Sequence, residues 1–82
     1  MTITLLYFAA VRELVGRDEE QVMLPPDVTT IGALATFLTR HQPVLAGRLG
    51  SVRFARNEEF TTHSEVLADG DTVALIPPVA GG

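Results

Sequence analysis

The chain has no cysteine, no tryptophan and no lysine. Without cysteine there is no disulfide staple, no thiolate nucleophile and no cysteine-based zinc site. Nor can sulfur or an acyl group ride on a side-chain thiol. Without lysine, all six cations are arginines, and no ε-amino group offers a site for lysine-linked modifier chains. Positive charge is scarce: six cations stand against ten acids, for a formal net charge of −4. An acidic chain without a basic stripe is a poor nucleic-acid ligand. No apolar run approaches the roughly 20 residues of a membrane span. The first residues, MTITLLYFAAVREL, lack the cationic start and A-x-A site of a signal peptide. A cytoplasmic protein with no membrane and no nucleic-acid partner is the expectation.

What is present suits one small domain. The 82 residues are 46% hydrophobic and contain no low-complexity tract, so the chain should fold around a modest core. Its net stability should be on the order of 5 kcal/mol. We expect a domain over residues 1–76 and an extended tail over residues 77–82.

Thr2 to Phe8 alternates at first and reads as a strand, with Ile3, Leu5 and Tyr7 on one face. Leu6 and Phe8 then make the other face apolar too. Ala9 to Val15 holds good helix formers and stops at Gly16. Glu19 to Leu24 reads as a second strand, closed by Pro25-Pro26-Asp27. Thr30 is placed to cap a helix from Ile31 to His41, with Ile31, Leu34, Phe37 and Leu38 on its inner side. Gln42-Pro43 ends that helix. Val44 to Leu49 suggests one short helical turn, and Ser51 to Arg56 a third strand. Asn57-Glu58-Glu59 and Asp69-Gly70-Asp71 read as turns, and Thr72 to Ile76 as the last strand.

One main helix covers only one face of a sheet, and the first and last strands are the most apolar. They belong side by side in its centre. The order fits an α+β fold: a β-grasp, or ubiquitin-like, roll with a mixed sheet of four to five strands. A ferredoxin-like arrangement would need a second full-length helix.

The pleat assigns the faces. If Ile3, Leu5, Tyr7, Val73 and Leu75 face the helix, then Leu6, Phe8, Ala74 and Ile76 face away, and Phe60 is placed to join them. An exposed apolar patch of this kind marks a partner site unless an insertion or the tail folds back over it. The patch sits at the root of the segment Pro77-Pro78-Val79-Ala80-Gly81-Gly82. Fully extended, those residues reach roughly 20 Å. Pro77 and Pro78 favour an extended backbone, which lowers the entropy lost on insertion into a partner. Gly81 and Gly82 carry no Cβ and so make the thinnest possible peptide.

Catalytic machinery is otherwise hard to find. His41 and His63 read as ordinary surface or capping histidines, in no metal or triad spacing. No metal site is expected. Glu19-Glu20 and Glu58-Glu59 read as solvated charges, and Asp69 and Asp71 as turn formers. Arg12-Glu13 is either a plain helix pair or a polar rim to the patch. That leaves the α-carboxylate of Gly82, which is inert until another enzyme converts it to a good acyl leaving group.

Three segments resemble the small-subunit (MoaD-type) sulfur carriers of molybdopterin synthase. They are Tyr7-Phe8-Ala9-Ala10-Val11-Arg12-Glu13-Leu14-Val15-Gly16, Leu67-Ala68-Asp69-Gly70-Asp71, and Val73-Ala74-Leu75-Ile76-Pro77-Pro78-Val79-Ala80-Gly81-Gly82. The Val-Ala-Gly-Gly end also resembles thiazole-pathway sulfur carriers, which are usually shorter and lack the Val-Arg-Glu-Leu helix and the Pro-Pro. Phe54-Ala55-Arg56-Asn57 departs from the pattern, since the family more often has a small apolar residue where Arg56 stands.

The resemblance implies a sulfur-donor subunit with no catalysis of its own. A ubiquitin-activating-like adenylyltransferase, using ATP and magnesium, would adenylate Gly82. Sulfur from a persulfide would then give a Gly82 thiocarboxylate. The tail would enter the large synthase subunit, in a hetero-tetramer, and donate sulfur to cyclic pyranopterin monophosphate. Two carriers would supply the dithiolene that later holds molybdenum or tungsten. The chain itself would bind no cofactor. Leu6, Phe8, Arg12, Phe60, Ile76, Pro77, Pro78, Val79 and Ala80 would meet the partner, and Gly81 and Gly82 would carry the chemistry. Other readings are a carrier for thiazole synthesis or tRNA thiolation, a protein modifier joined through Gly82, and a binding module whose glycines are incidental.

Overall fold

A computed structural model of the chain describes residues 1–78. Five strands and two helices run in the order β1 (Thr2–Tyr7), α1 (Ala9–Val15), β2 (Glu19–Met23), α2 (Ile31–His41), β3 (Arg53–Arg56), β4 (Glu59–Thr61) and β5 (Thr72–Ile76). The strands form one mixed sheet in the order β2-β1-β5-β3-β4. The first and last strands lie side by side in parallel, and the other pairs are antiparallel. This is the β-grasp arrangement expected from the apolar character of β1 and β5.

The inner face follows from side-chain alternation. Ile3, Leu5 and Tyr7 from β1, Phe54 from β3, and Val73 and Leu75 from β5 are all buried. They pack against Ile31, Leu34 and Leu38, the inner stripe of α2 at i, i+3, i+7. Phe37 is half-buried at the edge of that core. Burying a side chain of this size contributes about 1.5–3 kcal/mol relative to exposure, so this cluster is the main source of stability.

Local signals set the element ends. The Thr30 hydroxyl accepts from the Ala33 backbone N–H at 3.1 Å and caps α2. Gly16, with φ 88°, takes the left-handed position that closes α1, and its N–H bonds the Arg12 carbonyl. At the end of α2, His41 stacks on Phe37 with ring centroids 4.0 Å apart, and its Nδ1 lies 3.0 Å from the Phe37 carbonyl oxygen. His63 meets the Phe54 ring edge-on.

Three expectations about element bounds need correction. The single turn over Val44 to Leu49 is two 3₁₀ turns, Pro43–Leu45 and Leu49–Ser51. Pro43 starts the first, and Gly47, at φ 75°, breaks the run before it can become α-helix. The second turn consumes Ser51, so β3 begins at Arg53 instead. Glu59 is not part of the following turn. Asn57 and Glu58 alone make it, both with positive φ, and β4 starts at Glu59.

Glu20 is not a solvated strand-end charge either. It accepts from the Tyr7 hydroxyl at 2.5 Å, from Gln42 Nε2 at 2.9 Å, and from Arg17 at 3.2 Å. Burial, and then the neighbouring Glu20 carboxylate, push the Tyr7 phenol well above its ordinary range. The phenol therefore stays a donor, and it ties β1 to β2 and to the end of α2. Among the described residues no helix is long and apolar enough to cross a membrane.

Candidate docking face and tail root

The outer face of the sheet is built from a single row. Leu6 is the Cα partner of Ala74, Ala74 of Ala55, and Ala55 of Phe60. The two alanines stand in the middle and the two large side chains at the sides. This size pattern makes a groove rather than a flat sheet. Ala55 and Ala74 form its floor, Leu6 and Phe8 one wall, and Phe60 the other. The groove has a volume of about 580 Å³.

Both alanines are buried, yet neither belongs to the core beneath the sheet. Their larger neighbours on the outer face shield them instead. The walls stay open to solvent, with Phe8 44% and Phe60 56% exposed. Large apolar side chains left this open, around one recess, make this the candidate docking face.

The groove has two chemically different ends. At one end stand Phe8 and Ile76. Ile76 is the last residue of β5 and is followed directly by Pro77, so this end is the root of the tail. Arg53 is the Cα partner of Ile76 and lays its guanidinium over the Phe60 ring. At the other end stand Thr72, Asn57 and Glu58.

Beneath that second end lies an ionic cluster. Asp71 is the buried charged side chain among the described residues. It accepts from Arg56 Nε at 2.6 Å, from Asn57 Nδ2 at 3.0 Å and from the Ala68 backbone N–H at 2.7 Å. Burial acts to raise its pKa, but the bonds from Arg56, Ala68 and Asn57 outweigh that and hold the carboxyl below its ordinary value. Arg56 also reaches Glu65 at 3.2 Å. Arg56 thus anchors the start of β5.

The face expected from the pleat is present: Leu6, Phe8, Phe60, Ala74 and Ile76 line one groove. Pro77 and Pro78 do not join it. They line a second recess of about 370 Å³ together with Val11, Leu14, Leu49 and Val52. Arg12 is exposed on α1 and lies outside the lining of the groove. Val79, Ala80, Gly81 and Gly82 lie outside the described residues. Ala55, Asn57, Glu58 and Thr72 were not anticipated. Ala55 follows Arg53 by two and was legible as outward-facing, whereas Asn57 and Glu58 required β4 to be recognised as a strand.

A β-grasp domain with one open apolar sheet face, running to the root of a Pro-Pro tail, is a ubiquitin-like protein. The profile of the ThiS family matches residues 5–82. The molybdopterin synthase sulfur carrier subunit of Chlamydomonas reinhardtii is 39% identical over 84 residues, covering 100% of both chains. The chain belongs to the ThiS family, and small subunits of molybdopterin synthase are among its relatives.

Two solved structures share the fold. Small archaeal modifier protein 1 of Haloferax volcanii superposes with a TM-score of 0.82 at 28% identity, covering 95% of this chain and 98% of that one. A complex of subunits 1 and 2 of the molybdopterin-converting factor from Helicobacter pylori gives a TM-score of 0.72 at 23% identity, with both chains covered completely.

Proposed function

We propose that this chain is the sulfur-carrier subunit of a molybdopterin synthase. The observation that carries the reading is the continuity of the apolar groove with the tail. Ile76 lines the groove, and the next residue begins the segment that ends at Gly82. A partner seated on Leu6, Phe8, Phe60 and Ile76 therefore meets the chain at the residue where the tail begins. The full-length likeness to a sulfur carrier subunit supports the same reading.

The chemistry then rests on Gly82. An adenylating enzyme uses ATP to convert its carboxylate to an acyl adenylate, releasing pyrophosphate; a persulfide then displaces AMP to give an acyl disulfide, and a thiol reductant cleaves the S–S bond to leave the thiocarboxylate. The large synthase subunit receives the tail, and the thiocarboxylate sulfur goes to cyclic pyranopterin monophosphate. The absence of cysteine fits this division of labour, because sulfur has no other place to sit on this chain. Phe8, Phe60 and Ile76 supply docking affinity, and acid–base and phosphate-binding groups belong to the large subunit.

The test is a single-turnover assay with purified large subunit, pterin substrate and thiocarboxylated carrier. The expected result is dithiolene formation that disappears when Gly82 is deleted. Dithiolene formation by the Gly82-deleted chain would rule the reading out.

A second reading is a protein modifier, favoured by the likeness to a small archaeal modifier protein. It predicts adducts of Gly82 on lysines of other proteins. The lysine-free sequence excludes lysine-linked chains of this protein but not single attachments.

A further inference from the structure

Glu58 has no explanation within the fold. Together with Asn57 it makes the two-residue turn between β3 and β4, with φ 50° at Asn57 and φ 72° at Glu58. Two positive φ values in a two-residue hairpin ordinarily select Asn followed by Gly. Asn57 fits its place, since its side chain bonds Asp71 and accepts from the Thr72 backbone N–H at 2.9 Å. Glu58 stands where glycine would be strain-free. Among the described residues its carboxylate makes no hydrogen bond and no ion pair. It is exposed, and it lines the end of the apolar groove farthest from the tail.

Backbone strain held at the rim of a binding surface, with no internal compensation, directs attention to an external one. The two ends of the groove also differ in charge. Arg53 stands at the tail-root end, already occupied by the Phe60 ring, and Glu58 stands at the other. The five residues of β5 separate them, about 15 Å at strand spacing. The geometry points to Glu58 as a specificity-determining residue of the docking groove. Its carboxylate receives a guanidinium or ammonium group of the partner and fixes which way round, and in which register, the partner lies. This rests on the reading that the groove docks the large subunit. It adds the chemistry the partner must present there: an apolar segment with a cation at the end away from the tail.

The arrangement separates affinity from orientation. The apolar walls supply burial without direction, whereas a single charge at one end penalises a partner laid in reverse. A rim charge acts mainly on association rate and on salt dependence.

The test uses the full chain and purified large molybdopterin synthase subunit, with Glu58→Gln, Glu58→Gly and Phe60→Ala compared by binding kinetics and thermal unfolding. Glu58→Gln is expected to slow association about tenfold at low ionic strength, with the difference closing in high salt. Glu58→Gly is expected to lose the same affinity while unfolding at the same or a higher temperature than the parent. This pairing of weaker binding with an unharmed fold separates a recognition role from a structural one. Unchanged binding of both Glu58 variants, with Phe60→Ala weakened, overturns the assignment and leaves the groove standing. A fall in the unfolding temperature of Glu58→Gly overturns it as well, by making Glu58 a structural residue. Unchanged binding of Phe60→Ala removes the docking reading, and the role of Glu58 falls with it.

Discussion

Arg53 lies over Phe60, its guanidinium carbon 3.8 Å from the ring centroid. Phe60 is therefore exposed but held in place. An exposed cation–π contact contributes about 0.5–1 kcal/mol, comparable with the cost of ordering one side chain at an interface. The ring is set as a wall of the groove before any partner arrives. Phe60→Ala is expected to weaken association with the large subunit by about 2 kcal/mol, as a central aromatic does when truncated. Arg53→Ala should cost about half as much, through loss of that ordering. Both should unfold close to the parent temperature, because neither side chain enters the core. Titration calorimetry and a thermal melt on each variant check this.

Ile76 marks the point where groove and tail meet, so a charge there should uncouple them. Ile76→Asp is expected to abolish detectable docking, since a carboxylate there would have to be desolvated against Phe8 when a partner packs on the groove. Ile76 is only half-buried on the outer face, and the inner-face neighbours Val73 and Leu75 are unaffected. The variant should keep the β-grasp fold, visible as an unchanged far-ultraviolet circular dichroism spectrum. Loss of that spectrum would show that Ile76 serves the fold instead.

The outer face was readable because β structure alternates with period two. Once Ile3, Leu5 and Tyr7 were assigned inward, Leu6 and Phe8 had to point out. The same rule paired Val73 and Leu75 against Ala74 and Ile76. α2 was readable to its exact ends, because Thr30 and Gln42-Pro43 are strong local signals. What escaped was non-local. β4 is three residues long, too short to show a period, and it exists because β3 offers it an edge. Arg56 and Asp71 look like separate surface charges in the sequence, and only the pairing of β3 with β5 brings them together. Glu20 looked solvated for the same reason, since Tyr7 and Gln42 reach it from other elements.

Asp71 gives the fold a predictable acid sensitivity. Its folded pKa is held below the ordinary carboxylate value of 3.8. The stabilisation is thus fully present above that value and is lost as pH falls through the depressed folded pKa. Asp71→Asn removes charged hydrogen bonds to Arg56 and is expected to cost about 2 kcal/mol at neutral pH. For a domain of this size that lowers the unfolding temperature by about 10 °C. The penalty should shrink when both proteins are melted well below pH 4. A constant difference at all pH values would mean that the Asp71 charge does not contribute.

Tyr7, Glu20 and Gln42 form the other polar anchor, at the opposite edge of the sheet. Tyr7→Phe removes one hydroxyl but leaves Gln42 bonded to Glu20, so a loss of about 1 kcal/mol is expected. Glu20→Ala leaves the buried phenol without its acceptor and should cost about 2 kcal/mol. The double variant should cost less than the sum, because the two single changes delete the same bond. Urea unfolding of the three variants measures this directly, and strict additivity would show that the 2.5 Å contact contributes no coupling.

Gly82 is where the sulfur-carrier and modifier readings part. Incubated with a ubiquitin-activating-like adenylating enzyme, ATP, magnesium, a persulfide sulfur source and a thiol reductant, the chain should gain the mass difference between one sulfur and one oxygen. With the sulfur source omitted it should stall as an acyl adenylate and return to the parent mass by hydrolysis. The lysine-free sequence gives that adenylate no ε-amine on a second copy of the chain to attack. Isopeptide-linked dimers through lysine are therefore not expected, however long the incubation. Adding a lysine-rich bystander protein provides the contrast. A modifier would appear on it as a covalent adduct, whereas a sulfur carrier would leave it unchanged and accumulate as the thiocarboxylate. The adduct on the bystander, seen by intact mass in the presence of the sulfur source, is the outcome that would move this chain from sulfur carrier to protein modifier.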